Sequence, residues 1–319
     1  DNGLLPPWKG DFHSDLNTQL SYWPAYSSNH LEEGSVFTDW LWNNKPWFVS
    51  YAKRVFGTDG LNVPGVATLR GHEMGGWHMY AMSPTVACWL AQHFYLQWRY
   101  SMDKEFLSSR AYPWISAVAR HIEQLTSLEN GLRKLPMSSS PEFHDGSMNA
   151  WFLQMTNYDI SLCRYLFTIA SELAGEMGHT QESDHWKTIG NQFPELNTDP
   201  EEGLTVAPGY PYHESHRHFS HLMAIHPLGL LDYDNPDEQL IMKKSISNLV
   251  KQGTSSWCGY SFSWLGNIYA RMKDGENAAK ALKTFSSCFC STNSVHLNGD
   301  QSKAGNSNFT YAPFTLEGN

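Results

Sequence analysis

Apolar residues recurring at every fourth position constrain this chain more than any other feature. Between Ser83 and Tyr100, Val86, Leu90, Phe94 and Trp98 fall on one such stripe. Trp114, Val118 and Ile122 form a second, continued by Leu125, and Leu162, Leu166, Ile169 and Leu173 line a third. That spacing gathers side chains on one face of an α-helix, whereas a half-buried strand would alternate with period two. Ser83-Pro84 reads as a helix start, with Ser as N-cap and Pro at the first helical position. Further helical windows cover 37–56, 238–250, 263–272 and 276–285, and strand alternation is rare. The pattern predicts an all-α fold.

Polar, Gly/Pro-rich connections lie between these windows, at 57–76, 129–146, 198–220 and 292–319. Ordered loops of such length usually carry function. No low-complexity tract or linker divides the chain, which predicts one helical domain with its chemistry on loops at one end of a bundle or toroid. Composition narrows the partners. With 22 Lys+Arg against 32 Asp+Glu the formal charge is −10, which argues against nucleic acid or an anionic membrane surface. No stretch approaches twenty apolar residues, so no transmembrane helix is expected. The 13 Trp, 15 Tyr and 16 Phe are mostly core material, although an indole face also stacks on the C–H face of a pyranose. Five cysteines, with Cys288-Phe-Cys290 as the nearest pair, make neither a zinc nor a redox motif. Phosphate-loop, dinucleotide and nucleophile-elbow motifs are absent, and no cofactor is called for.

Four clusters hold candidate chemistry. His13, Asp15 and Asn17 occupy alternate positions and in an extended segment would share one face; Gln19 and Tyr22-Trp23-Pro24 follow. The same residues also suit a polar loop that caps the next helix. Glu142 follows Ser138-Ser139-Ser140-Pro141 and precedes Phe143. A loop carboxylic acid beside an aromatic ring can keep the raised pKa of a general acid, but Ser-Pro-Glu is equally a helix start. His213, His216, His218 and His221 surround Arg217. Their spacing departs from the helical zinc motif and no cysteine is near, so ligand or loop hydrogen bonding fits them better than a metal site. Finally, Glu317-Gly318-Asn319 places a carboxylate in a turn-forming tail, where a loose terminus is the other reading.

Taken in order, the clusters resemble glycoside hydrolase family 95, the α-L-fucosidases and α-L-galactosidases. The matching stretches are Pro6-Pro7-Trp8, His13–Pro24, Ser140-Pro141-Glu142, His216–Leu222 and Glu317-Gly318-Asn319, with the region from Gly259 to Asp274 also similar. The resemblance implies an (α/α)6 toroid and an inverting exo-glycosidase that needs no metal. Such an enzyme uses one carboxylic acid to protonate the leaving oxygen and one carboxylate to activate water. Residue by residue, Glu142 aligns with the general acid and Glu317 with the base, an aspartate in the family. Asp15 and Asn17 align with two asparagines that assist the base. His13 aligns with a substrate-contacting position where histidine accompanies L-fucose, while His216, Arg217, His218 and His221 line the pocket, and Trp23 is a further substrate-binding candidate. Asp15 and Glu317 depart from the family pattern, which leaves open which of the two is the base. The resemblance also implies that residues 1–319 are one catalytic domain cut from a longer chain with β-rich flanking domains, working in an extracellular or periplasmic setting on an oligo- or polysaccharide. A non-catalytic carbohydrate-binding relative, and a polysaccharide lyase or another glycosidase on the same toroid, are the alternatives.

Overall fold

A computed structural model describes residues 10–291, 296, 297, 299 and 300. The all-α class holds: the described residues are helices joined by long loops, with three two-stranded antiparallel ribbons. They form two compact units. One contains the chain up to Met155 together with Leu162–Glu195, and the other contains Thr156–Ser161 and the chain from Leu196 onward. No helix among the described residues is long and apolar enough to cross a membrane.

The first unit opens with β1 (Phe12–His13), then α1 (Asn17–Ser27), α2 (Leu31–Asn43) and α3 (Lys45–Tyr51). The window at 37–56, expected as one helix, is broken at Asn44, because Pro46 in the first turn of α3 cannot continue α2. Beyond α3 the chain widens into a π-type turn over Ala52–Phe56. After β2 (Val66–Ala67) and the single turn α4 (His78–Ala81) comes α5 (Val86–Ser101). Its N-cap is Thr85, so Ser83-Pro84 precedes the helix by two residues and does not start it. Next are α6 (Lys104–Phe106) and α7 (Tyr112–Leu125), which carries Pro113 in its first turn. A hairpin of β3 (Ser127–Glu129) and β4 (Leu132–Lys134) leads to α8 (Asn157–Glu176) and α9 (Thr180–Gly190).

Two of the stripes read from the sequence meet in the core. Phe94 of α5 stacks on Trp114 of α7 with ring centroids 4.6 Å apart, and Phe48 of α3 meets the same indole edge-on. Trp89, Trp98, Ile115, Val118 and Ile122 are buried around them. Each buried aromatic of this size removes 150–250 Å² from water.

The second unit holds the ribbon of β5 (Thr198–Asp199) and β6 (Gly203–Leu204), then α10 (Pro236–Lys251), α11 (Gly259–Arg271) and α12 (Gly275–Cys288). Asn235 caps α10 through its side-chain oxygen, which accepts from the backbone N–H of Asp237 and Glu238, while Pro236 and two acidic residues fill the first turn. That arrangement satisfies orphan donors and complements the helix dipole. Asn157 ties the ribbon to the start of α8: its amide nitrogen donates to the carbonyls of Asn197 and Thr205 at 2.8 and 2.7 Å.

Both units bury neutral histidines. Burial lowers His93, His221 and His226 to about 3 and His121 to about 4, from an ordinary 6.5. A folded-state pKa below the unfolded one means that the unfolded chain takes up the proton first as pH falls. Their contribution is therefore complete above pH 6.5 and is lost progressively toward pH 4. Each such histidine steepens the loss by up to ~1.4 kcal/mol per pH unit. Urea midpoints measured from pH 7 to pH 4.5 should fall steeply below 6.5, and His93→Gln should flatten that slope; an unchanged slope would mean that His93 already carries its proton when folded.

Candidate active site

The His13–Asn17 segment is not extended throughout. His13 ends β1, residues 14–16 turn, and Asn17 is the first residue of α1. The expectation that His13, Asp15 and Asn17 share the face of one strand is thus replaced by a strand–turn–helix corner, with Asp15 buried in the turn and only 4% exposed. The corner is held by its own backbone. Thr18 Oγ1 donates to the carbonyl of His13 and the Gln19 amide donates to that of Ser14 at 2.7 Å. β1 pairs with β2, His13 opposite Val66.

Gly65 joins this corner to α4. Its carbonyl accepts from Ser14 N–H at 2.9 Å, and its own N–H donates to the carbonyl of Ala81 at 3.2 Å. A Cβ built on Gly65 would stand 1.7 Å from the Tyr80 carbonyl oxygen, so only glycine fits. On the far side of α4, Ser139 Oγ donates to the carbonyl of Met79 at 3.1 Å. The loop carrying Glu142 is thereby fastened to the same turn. Ser138, Ser139, Ser140 and Phe143 are buried, and Ser138 pairs with Phe152 as an isolated bridge. No helix starts at Glu142. The Pro141–Glu142 peptide is cis, and His144 and Asp145 both adopt positive φ, 68° and 50°. The chain turns repeatedly here, and two consecutive side-chain-bearing residues in the left-handed region are a costly backbone.

The result is a convergence that the sequence order does not advertise. A carboxylate oxygen of Asp15 and one of Glu142 lie within 4.8 Å of each other. Tyr80 of α4 is buried, 6% exposed, and its hydroxyl pKa is driven well up, first by burial and then by the negative charges of Asp15, Glu142 and Asp11. His13 connects Tyr80 to Asp11. The ring's Nε2 is 3.3 Å from the Tyr80 hydroxyl, and Nδ1 donates to Asp11 Oδ1 at 2.7 Å. Neither Asp11 nor Tyr80 was a sequence candidate. Asp11 lies two positions before His13, inside the first motif cluster, and that spacing was the available signal; Tyr80 belongs to no motif.

Other candidates are placed as follows. Trp23 of α1 packs on α5, donating from its indole nitrogen to Gln92 at 3.2 Å and lying parallel to His93. In the second unit, the histidine segment runs as an irregular loop pinned at both ends. Asn248 of α10 donates to the Tyr212 carbonyl at 3.0 Å, and Ser261 of α11 donates to the Arg217 carbonyl at 2.8 Å. His216 Nδ1 lies 3.0 Å from the backbone nitrogen of His218 and 3.3 Å from its carbonyl oxygen. The His218 ring meets Tyr260 edge-on, and His221 lies flat on Tyr212 with centroids 4.6 Å apart. Glu317, Pro6-Pro7-Trp8 and Glu317-Gly318-Asn319 lie outside the described residues.

Comparison with known proteins bears out the family resemblance. Residues 1–319 match the model of the glycosyl hydrolase family 95 catalytic domain. Alpha-L-fucosidase 2 of Arabidopsis thaliana is 23% identical over 285 residues, covering 86% of this chain and 34% of that protein. Probable alpha-fucosidase A of Aspergillus niger is 22% identical over 306 residues, 87% of this chain and 37% of its own length. The chain thus spans about a third of the length of these curated relatives. It belongs to glycoside hydrolase family 95.

The Gly65 junction makes a direct prediction. Gly65→Ala should destabilise the protein by about 3 kcal/mol, the cost of forcing atoms into a filled site, as read by chemical denaturation. An alanine variant of wild-type stability would show that the corner and α4 are not held as described.

Proposed function

We propose that this chain is the catalytic domain of an exo-glycosidase that removes a terminal α-linked L-fucose, or a closely related sugar, from an oligo- or polysaccharide with inversion at the anomeric carbon. One observation carries the reading: two carboxyls from distant motifs, Asp15 and Glu142, approach within 4.8 Å at a site built from buried polar residues. Family membership supports hydrolysis of a glycosidic bond, and the names of both relatives support fucose. On this reading the helices belong to an (α/α)6 toroid, and the domain is part of a longer exported polypeptide.

Glu142 is the general acid. Its proton passes to the glycosidic oxygen as the bond from that oxygen to the anomeric carbon breaks. A water on the opposite face attacks the carbon and gives its proton to a carboxylate base. Asp15 suits the role of partner to the acid better than that of base across the water. An inverting pair stands ~6.5–9.5 Å apart to hold a water between its carboxyls, whereas one oxygen of Asp15 and one of Glu142 lie within 4.8 Å. At their distance an ionised Asp15 opposes ionisation of Glu142, which keeps the proton where an acid needs it. The base is then Glu317, with Asn17 helping to orient the water. His216, Arg217 and His218 supply polar contacts to the sugar, and the neutral, buried His221 backs them through Tyr212.

The same short approach favours one competing reading. Retaining enzymes keep their carboxyls ~5–5.5 Å apart and use the second as a nucleophile, which would make Asp15 the nucleophile. Glu142→Gln should lower turnover of an α-L-fucosyl oligosaccharide by ~10²–10⁴-fold while sugar binding persists; near-normal turnover would remove Glu142 from the acid role. Proton NMR of the first-formed sugar decides the rest, since a β-anomer product supports inversion and an α-anomer supports the Asp15 nucleophile.

A further inference from the structure

Both ring nitrogens of His13 are occupied within the protein. Nδ1 meets the Asp11 carboxylate at 2.7 Å, with the Asp11 side chain only 8% exposed. A carboxylate accepts and cannot donate, so Nδ1 carries the proton. In the neutral ring Nε2 is then a lone pair, and the group facing it at 3.3 Å is the Tyr80 hydroxyl. The phenol therefore spends its one hydrogen on His13. What Tyr80 has left to offer the neighbouring carboxyls, and anything bound beside them, is an oxygen that accepts. The Tyr80 hydroxyl meets His13, two residues before Asp15, and the turn that carries Tyr80 is bonded through Gly65 to Ser14 beside Asp15 and through Met79 to the Ser139 loop that leads to Glu142. The Gly65 contact fixes the backbone of Tyr80, and Val66, Met79 and Ala150 bury its surroundings.

We propose that the Tyr80 hydroxyl is a substrate contact of this site, accepting a hydrogen bond from a hydroxyl of the bound sugar, and that Asp11 and His13 are positioning residues that hold it as an acceptor. The inference rests on the glycosidase reading of the Asp15–Glu142 site and adds to it. His13 then acts on the sugar through Tyr80, not through its own ring. The recognised group is a hydroxyl able to donate, so a deoxy sugar at that position loses the contact, as does an O-methylated one.

Two measurements test this separately. Nitrogen-15 NMR of histidine-labelled protein, with His13→Gln assigning the signal, should show a protonated Nδ1 and an unprotonated Nε2; Asp11→Asn, whose amide can donate to Nδ1, should shift the proton to Nε2. A wild-type His13 with a proton on Nε2 would overturn the proposal without touching the glycosidase reading. Calorimetric titration with L-fucose, L-galactose and the 2-, 3- and 4-deoxy forms of the bound sugar gives the second test. Tyr80→Phe should weaken binding of the parent sugar by roughly 3- to 10-fold, the worth of one neutral hydrogen bond. One deoxy form should bind the wild-type protein more weakly by the same factor, and that difference should vanish in the phenylalanine variant. Parent-sugar affinity unchanged by Tyr80→Phe would overturn the substrate contact alone. Binding of neither parent sugar by the wild-type protein would remove the glycosidase reading, and the contact with it.

Discussion

The candidate site depends on a close approach of two backbones. Gly65 is hydrogen-bonded to Ser14 on one side and to Ala81 on the other, and the Tyr80 carbonyl fills the space that any Cβ would need. Asp15 follows Ser14 directly, Tyr80 precedes Ala81 directly, and Ser139, bonded to the Met79 carbonyl, is three residues from Glu142. One glycine thus sets the separation between the turn that carries one carboxyl and the helical turn to which the other is tied. Catalytic groups must be placed to well under an ångström, and short backbone links give less play than long side chains do. The loops are long, but the parts that matter are anchored at each end.

The helical core serves this placement by being stiff. Aromatic rings packed edge-on and face-on around Trp114 leave little freedom to relax, as expected of interiors that pack like organic crystals. The buried histidines carry a cost of their own. An imidazole in the core is tolerated only while it stays neutral. His93 is held by the Tyr26 hydroxyl at 2.9 Å and His121 by the Thr58 hydroxyl. His221, in a 3₁₀ turn over Ser220–Leu222, reaches the same condition by burial and lies on Tyr212. Within the histidine segment, then, His218 and His221 are buried, His216 is half-buried and His213 is exposed.

Much of the fold was legible because helix periodicity is local. The stripe from Trp114 to Leu125 lies within α7, and the windows starting at Glu238 and Glu276 lie within α10 and α12. Apart from the short turns α4 and α6, two helices were not legible. α1 buries only Thr18, Gln19 and Tyr26 and contains Pro24, so it shows no apolar stripe and carries a residue that argues against a helix. α9 buries only Trp186 and Ile189. Both owe their existence to tertiary contacts, which local propensity does not encode. The site divides in the same way. Asp15 and Glu142 sit in recognisable clusters, but their meeting is a long-range fact. Tyr80 is a tyrosine among fifteen, and only its hydrogen bond to His13 distinguishes it.

The family resemblance implies an asparagine at the position of Asp15, and on that reading the carboxyl has a consequence within this geometry. An asparagine there would be neutral at every pH and would add no negative charge beside Glu142. With a carboxyl within 4.8 Å, the pair can hold one proton between them more readily than it can lose both, because two ionised carboxyls at that range repel. Tyr80, its hydrogen turned toward His13, does not relieve that repulsion by donating to either carboxylate. The arrangement therefore disfavours the doubly ionised pair and favours a shared proton. On the proposed mechanism that is the state required before the glycosidic oxygen is protonated, so the substitution strengthens the acid half of the reaction and leaves the burden of activating water to the other carboxylate.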